Sequence, residues 1–264
     1  MTENLELNGV PLESVPPALL RAINYGHFTS MQIRDRQVRG LARHLERLDR
    51  SSQELFARGV SADRILSVLR TALDRAPSPD ASVRINAFSR GRDLDVDLLV
   101  TVSDPIEPTP TAPRLLAFDH ERPVPHLKHT GTFSLTYYGR QANLAGYDDA
   151  LFFDRSGNVS EAAIWNICFA TGDRIVWPDA AVLPGITMLT LQAGLDTLAV
   201  ARETIPVPLT TLAGYDAAYL TNSIDPALPV ASITTPTGTT TYAPHTPSAD
   251  LIAKAYATIP LDPI

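Results

Sequence analysis

Along residues 36–57, RQVRGLARHLERLDRSSQELFA, the apolar positions Leu41, Leu45, Leu48, Leu55 and Phe56 recur at roughly helical spacing with charges between them. The pattern predicts an amphipathic helix. A second helix follows, in which Ser61 caps ADRILSVLRTALDR, Ile65, Leu66, Leu69 and Leu73 form one apolar stripe, and Pro77 and Pro79 stop it. The runs SVRINAFSR (82–90) and DVDLLVTV (95–102) read as strands joined by the turn residues GRD (91–93). The segment DPIEPTPTAP then carries four prolines in nine positions, which favours extended chain over a packed element. A domain boundary is placed there, giving a small N-terminal domain (1–104), a linker (105–113) and a larger domain (114–264). Beyond it the pattern predicts a strand (RLLAFDH) and an aromatic-rich helix (TFSLTYYGRQANLAG). A hairpin-like series follows, DALFFD, VSEAA, NICFATG and DRIVWP, with SGN and TGD as turn residues. A helix from about Ile186 to Val200, a strand DAAYLTNS (216–223), a Thr-rich linker TTPTGTTTY (234–242) and a terminal helix from about Ala249 complete an α+β chain without internal repeats.

Composition narrows the class. A hydrophobic content of 44% over 264 residues is enough for a proper core. The net charge of -7, with arginines dispersed among acidic residues, argues against a nucleic-acid or anionic-membrane partner. One cysteine, Cys168, excludes an intramolecular disulfide and a Cys-based zinc cluster, fits a reducing cytoplasm, and leaves no metal site to expect. MTENLELNGV lacks the apolar core of a signal peptide, and no apolar run approaches membrane-spanning length. These features predict a soluble cytoplasmic protein.

One residue stands out chemically. Lys128, in PHLKHTGTF, is one of two lysines beside twenty arginines. A chain that writes its surface cations as Arg keeps Lys where something other than a surface cation is needed, and Arg cannot lose its proton to become a nucleophile. Pro125 and Leu127 suggest partial burial, which lowers a lysine pKa toward the range of a neutral, Schiff-base-forming amine.

From Lys128 the string KHTGTFSLTYYGRQANLAGYDDALFFDRSGNVSEAAIWNICFATGDRIVWPDAAVLPGIT resembles the pyridoxal-phosphate enzymes of fold type IV, the class IV aminotransferase superfamily. That superfamily includes branched-chain and D-amino acid aminotransferases, (R)-amine transaminases and aminodeoxychorismate lyase. The shared parts are ordered: the lysine, a helix ending Ala-x-x-x-Gly, an acidic strand, Gly-x-Val-x-Glu, a later Asn, and Leu-Pro-Gly-Ile-Thr. The resemblance implies a two-domain fold-type IV enzyme, similar to D-amino acid aminotransferase, with pyridoxal 5'-phosphate as cofactor.

Carried over residue by residue, Lys128 is the internal-aldimine lysine and the base that moves the substrate proton. Glu161 faces the pyridine nitrogen and Asn166 lies in the cofactor site. Arg47 meets the phosphate, joined by Ile186 and Thr187 at the positive end of a helix. Ser223 supplies a second hydroxyl, with Asn222 and Thr221 competing for that role. Tyr25, Phe28, Ser30, Met31 and Phe133 match the substrate pocket. Arg84 matches a strand arginine that reaches the substrate carboxylate in some members and is structural in others. Trp165 covers the cofactor or fills the core, and His44 is expected to pack or cap. Two departures are visible: Phe133 stands where the family often has a tyrosine, and Met188 where an arginine usually follows Gly-Ile-Thr.

The resemblance implies an aminotransferase with a small-molecule amino donor and an oxo acceptor, assembled as a homodimer. GHFTSM and TNSIDPALPV look like the aminodeoxychorismate lyase branch, which releases pyruvate and leaves 4-aminobenzoate. A third reading is a non-catalytic cofactor-binding scaffold.

Overall fold

The computed structural model describes residues 4–14, 19, 24–90, 95–108, 111–243 and 246–264. Two units form: Met1–Glu107 with Leu127–Gly131 and Leu261–Ile264, and Pro108–His126 with Thr132–Pro260. The segments Leu127–Gly131 and Leu261–Ile264, expected in the second domain, thus belong to the first unit. Strand pairing is the reason. His129 bridges antiparallel to His27, and Leu261, Asp262 and Pro263 pair with Arg39, Val38 and Gln37.

The first unit is built on a five-stranded sheet. Its strands are β1 (Asn4–Leu7), β2 (Val10–Leu12), β3 (Gly26–Ile33), β5 (Ala81–Ser89) and β6 (Val96–Ser103), in the order β2-β1-β6-β5-β3. Alternation decides its faces. Met31 and Ile33 of β3, Val83 and Ile85 of β5, and Leu98 and Val100 of β6 share one core with two helices, α1 (Leu41–Phe56) and α2 (Ala62–Asp74). The Ser61 hydroxyl caps α2 by accepting from the Arg64 amide, as the sequence predicts. The first helix starts later than its periodicity implies, because Gln37–Arg39 forms a short strand, β4, and Gly40 turns the chain with a φ of 75°. Its buried side also carries His44, Arg47, Ser51 and Ser52, which hydrophobic spacing does not announce. The GRD turn lies outside the described residues.

In the second unit β7 (Arg114–Asp119), α3 (Phe133–Leu144) and β8 (Asp149–Phe153) form a parallel crossover, with β7 and β8 adjacent. The sheet continues through β9 (Val159–Ala162), β10 (Asn166–Thr171), β11 (Arg174–Pro178) and β12 (Arg202–Ile205). Strand β13 (Ala217–Thr221) pairs with β10 and with β14 (Leu228–Pro229). The expected Thr-rich linker is instead a hairpin, β15 (Ser232–Thr235) and β16 (Gly238–Thr241), with β15 parallel to β7. Its threonines are β-branched and suit strands, and Gly238 takes up a φ of 149° at the turn.

Residues Ile167 and Phe169 of β10 face one core, while Cys168 and Ala170 face a second beneath α4 (Ile186–Thr197) and α5 (Pro247–Thr258). Burial pushes the Cys168 thiol up, so it is an inert packing group. Helices α4 and α5 meet closely at Gly194, where an added Cβ would lie 2.0 Å from the Ala255 carbonyl oxygen. Gly194→Ala is expected to lower stability by about 1–3 kcal/mol through overpacking. An unchanged urea midpoint would rule out that close approach.

Candidate active site

Lys128 follows from the open edge of β3. The Phe28 amide donates to the Lys128 carbonyl at 2.9 Å and the Thr130 amide to the Gly26 carbonyl at 2.9 Å, so the lysine segment is held as a short added strand. Gly26 is needed there, since a Cβ would lie 2.6 Å from the Ala87 carbonyl oxygen. The Lys128 ammonium lies 4.9 Å from the Phe28 ring centroid and the Arg84 guanidinium 3.6 Å from it. Burial pushes the Arg84 pKa down, and its Nε donates to Asn86 Oδ1 at 3.2 Å.

Strand parity sorts the expected pocket residues. Phe28 pairs with Asn86 and Ser30 with Arg84, so these four share the sheet face opposite the helices. Met31 has the other parity and sits in the hydrophobic core of the unit, only 1% exposed; this corrects its expected place in the pocket. Tyr25, just before β3, meets Phe56 of α1 edge-on and is largely solvent-exposed.

Beneath α1 lies a polar cluster. Arg47, buried, donates from Nη2 to the Thr29 hydroxyl, and that oxygen lies 2.6 Å from His44 Nδ1. His27 Nε2 lies 2.9 Å from the Ser52 hydroxyl, and its ring stacks on Phe56. Burial, then the charge of Arg47, lowers His27 from 6.5 to about 4. Burial, then Arg47 and Lys128, holds His44 well below the usual imidazole range. Both rings are therefore neutral in the folded protein near neutral pH. His44 does pack, as expected, but it also joins the arginine's hydrogen-bond chain.

In the second unit, register brings three expected or competing residues into one row. Asn166 is the cross-strand partner of Glu161 on one side and of Thr221 on the other. Thr221 and Asn166 have the parity of Tyr219 and Cys168, so they point to the side covered by α4. The loop before that helix locks onto the row: the Leu183 amide donates to Glu161 Oε2 at 3.1 Å, and Asn166 Nδ2 donates to the Leu183 carbonyl at 2.8 Å. Gly185 allows this, because a Cβ would sit 2.0 Å from Asn166 Oδ1. Ile186 and Thr187 form the buried first turn of α4, which has no side-chain cap and no acidic residue.

Two parts of this arrangement are illegible in the sequence. Arg122 lies 3.6 Å from Glu161, with side chains only 6% and 5% exposed, and nothing in the spacing of RPV and SEA signals that pair. Thr221 is buried and its hydroxyl has no hydrogen-bond partner among the described residues, whereas Asn222 caps its own turn by accepting from the Ile224 and Asp225 amides. Ser223 is half-buried in that turn. Trp165 packs against the core of the unit. Phe133 begins α3, is 81% exposed, and stacks with Tyr137 at 6.1 Å.

A profile of the family described as amino-transferase class IV matches residues 26–233, most of the chain. The chain belongs to the class IV aminotransferase family. Among solved structures it is similar to a putative 4-amino-4-deoxychorismate lyase from Legionella pneumophila, with 20% identity and a TM-score of 0.82 over 94% of this chain and 96% of that one. It is also similar to a branched-chain aminotransferase from Thermoproteus uzoniensis, with 19% identity and a TM-score of 0.83 over 96% and 93%. A hypothetical aminotransferase from Mycobacterium tuberculosis in its PLP-bound form shares 19% identity, with a TM-score of 0.81 over 97% and 98%. These likenesses carry the fold, which is the type IV arrangement implied by the sequence. Comparison with curated proteins gives no match.

The lowered imidazole pKa values have a consequence for this family member. An unfolded His27 binds a proton near 6.5 and the folded one only near 4, so the stability that its neutral form contributes is complete above 6.5 and is lost as pH falls toward 4. His44 adds to the loss in the same direction. Urea unfolding is expected to weaken between pH ~6.5 and ~5, by up to about 1.4 kcal/mol per pH unit for each imidazole, before most carboxylates titrate. His27→Gln should flatten part of that slope; an equal slope in the variant would refute the assignment.

Proposed function

We propose that the protein is a pyridoxal-phosphate-dependent aminotransferase that accepts an amino group from an amino acid or amine and passes it to an oxo acceptor. The observation that carries the reading is the placement of Lys128, a half-buried lysine whose backbone is fixed to β3 by two hydrogen bonds, in a chain of this family. The residues suit the cofactor. The Thr221 hydroxyl, buried without a protein partner among the described residues, and the uncapped first turn of α4 both offer donors to an anion. When bound, pyridoxal phosphate supplies an aldehyde for an amine and a ring that withdraws electrons from the adjacent bond.

The chain's own groups supply the rest. Lys128 provides the amine and afterwards carries the proton to and from the substrate carbon. In the first unit Arg47 would offer its guanidinium to a phosphate, and in the second Thr187 and the amides of Ile186 and Thr187 would offer donors to one, with Thr221 in place of Ser223 or Asn222 as the strand-end hydroxyl. Asn222 already uses its carbonyl within the turn. Glu161 would hold a proton on the ring nitrogen, its carboxylate being oriented by the Leu183 amide, while Asn166 is oriented by the Leu183 carbonyl. Arg84, Phe28 and Ser30 share a sheet face and contact the substrate, with the guanidinium suited to a carboxylate. A cytoplasmic location and a homodimer belong to the same reading. The resemblance of GHFTSM and TNSIDPALPV to the lyase branch supports elimination of pyruvate from aminodeoxychorismate as the second reading.

Purified protein is expected to be yellow with added pyridoxal phosphate, and Lys128→Ala to lose the colour and at least about a hundredfold in turnover. A panel of amino acids and amines should bleach the yellow form. If no donor bleaches it while aminodeoxychorismate yields pyruvate, the lyase reading replaces the transferase. A protein that stays colourless with excess cofactor removes both.

A further inference from the structure

The buried chain Arg47, Thr29 and His44 has a direction that its chemistry imposes. A guanidinium has donors and no acceptor, so the Thr29 oxygen must accept from Arg47 Nη2. The hydroxyl hydrogen is then left for His44 Nδ1, 2.6 Å away, which requires a neutral ring with a bare Nδ1. Burial and the neighbouring cations favour that neutral ring. His44 and Arg47 are three residues apart on one face of α1, and Thr29 is on the face of β3 that the helix covers, with Thr29 0%, His44 3% and Arg47 8% exposed. Water is thus largely excluded, and no rotation of the hydroxyl satisfies both neighbours except the one described.

We infer that Thr29 and His44 are positioning residues that hold the Arg47 guanidinium ready for a phosphate group before that group arrives. The inference rests on the reading of Arg47 as a phosphate-binding residue given above. Arg47 has four rotatable bonds, and anchoring one N–H on Thr29 removes part of the freedom that binding would otherwise cost. His44 acts at one remove: by accepting the Thr29 proton it keeps the hydroxyl lone pairs turned toward Arg47. A merely structural pair would affect every ligand of the unit alike, whereas a positioning pair acts only on a ligand that bears a phosphate.

The test compares pyridoxal phosphate with pyridoxal, titrated by absorbance into cofactor-free full-length protein. Thr29→Val keeps the shape and removes the hydroxyl; His44→Phe removes the acceptor; Thr29→Ser restores the chain. Thr29→Val and His44→Phe are expected to weaken pyridoxal phosphate about tenfold while leaving pyridoxal within about twofold, and Thr29→Ser to recover the wild-type ratio. In an Arg47→Met background Thr29→Val should have no further effect on the ratio, because its influence passes through the arginine. Equal losses for both ligands, or a ratio that Thr29→Val leaves intact while Arg47→Met abolishes it, overturn the positioning role and leave the phosphate reading of Arg47 standing. A ratio that Arg47→Met itself does not change overturns the phosphate reading and the positioning role with it. Thermal melts of each variant show whether a loss of binding is a loss of fold.

Discussion

The outer edge of β3 has backbone donors and acceptors that no other strand of the five-stranded sheet supplies, since β3 ends the order β2-β1-β6-β5-β3. An open edge of that kind must be covered or charged. Here residues 128–130 cover part of it, and the lysine is placed as a by-product of satisfying those groups. The same strand works in two further directions. His27 and Thr29 point into the helix-covered side, where they bond Ser52 and the His44–Arg47 pair, while Phe28 and Ser30 point the other way beside Asn86 and Arg84. A register slip of one residue would exchange the two sets. The full eight-residue pairing of β3 with β5, and the apolar anchors Met31 and Ile33, are what prevent it.

A related logic governs the second unit. Along β10 and β13 the side chains facing α4 are apolar or aromatic until the last position toward the helix N-terminus, where Asn166 and Thr221 replace them. The apolar part packs the helix down, and the polar end meets its first turn, so packing energy aims the positive end of the helix dipole. Glu161 extends the row, with one carboxylate oxygen on the Leu183 amide and Arg122 near the other. A buried carboxylate of this kind is tolerable only because hydrogen bonds and a cation accompany it.

Local signals were legible where one period or one cap dominates. The Ser61-capped helix, the strands β5 and β6, and the separate elements β7, α3 and β8 follow from patterns in the sequence, whereas the parallel pairing of β7 with β8 does not. Readings failed where composition and conformation part ways. Residues 234–242 resemble a linker because they are rich in Thr with Pro and Gly, yet β-branching makes the threonines good strand residues and places Pro and Gly at the turn. Residues 36–40 continue a helical charge pattern, but pairing of β4 with β17 (Leu261–Pro263) overrides it. The resemblance of NYGHFTSM to a pocket-lining strand places Met31 in the pocket with Phe28 and Ser30, and strand alternation moves it into the core. Arg122 meets Glu161 in one unit, and Thr29 meets Arg47 in the other, only through long-range contacts that no short window of sequence contains. The order of motifs nonetheless revealed the family, because a multipart signature constrains many separated positions together.

The β17 strand does more than pair with β4. Asp262 Oδ2 accepts from the Leu41 amide at 2.9 Å, capping α1 from more than two hundred residues away, in place of the side-chain cap that Gly40 cannot give. The helix that carries Arg47 and His44 is therefore not fully secured until the ribosome has made residue 262. During synthesis the β3 edge finds its partner once residues 128–130 are made, while the Leu41 amide at the start of the helix waits for Asp262. One of the first helices of the chain thus takes its N-terminal cap from one of the latest residues to be made, and the cap of the helix bearing Arg47 and His44 is a long-range contact, not a local one.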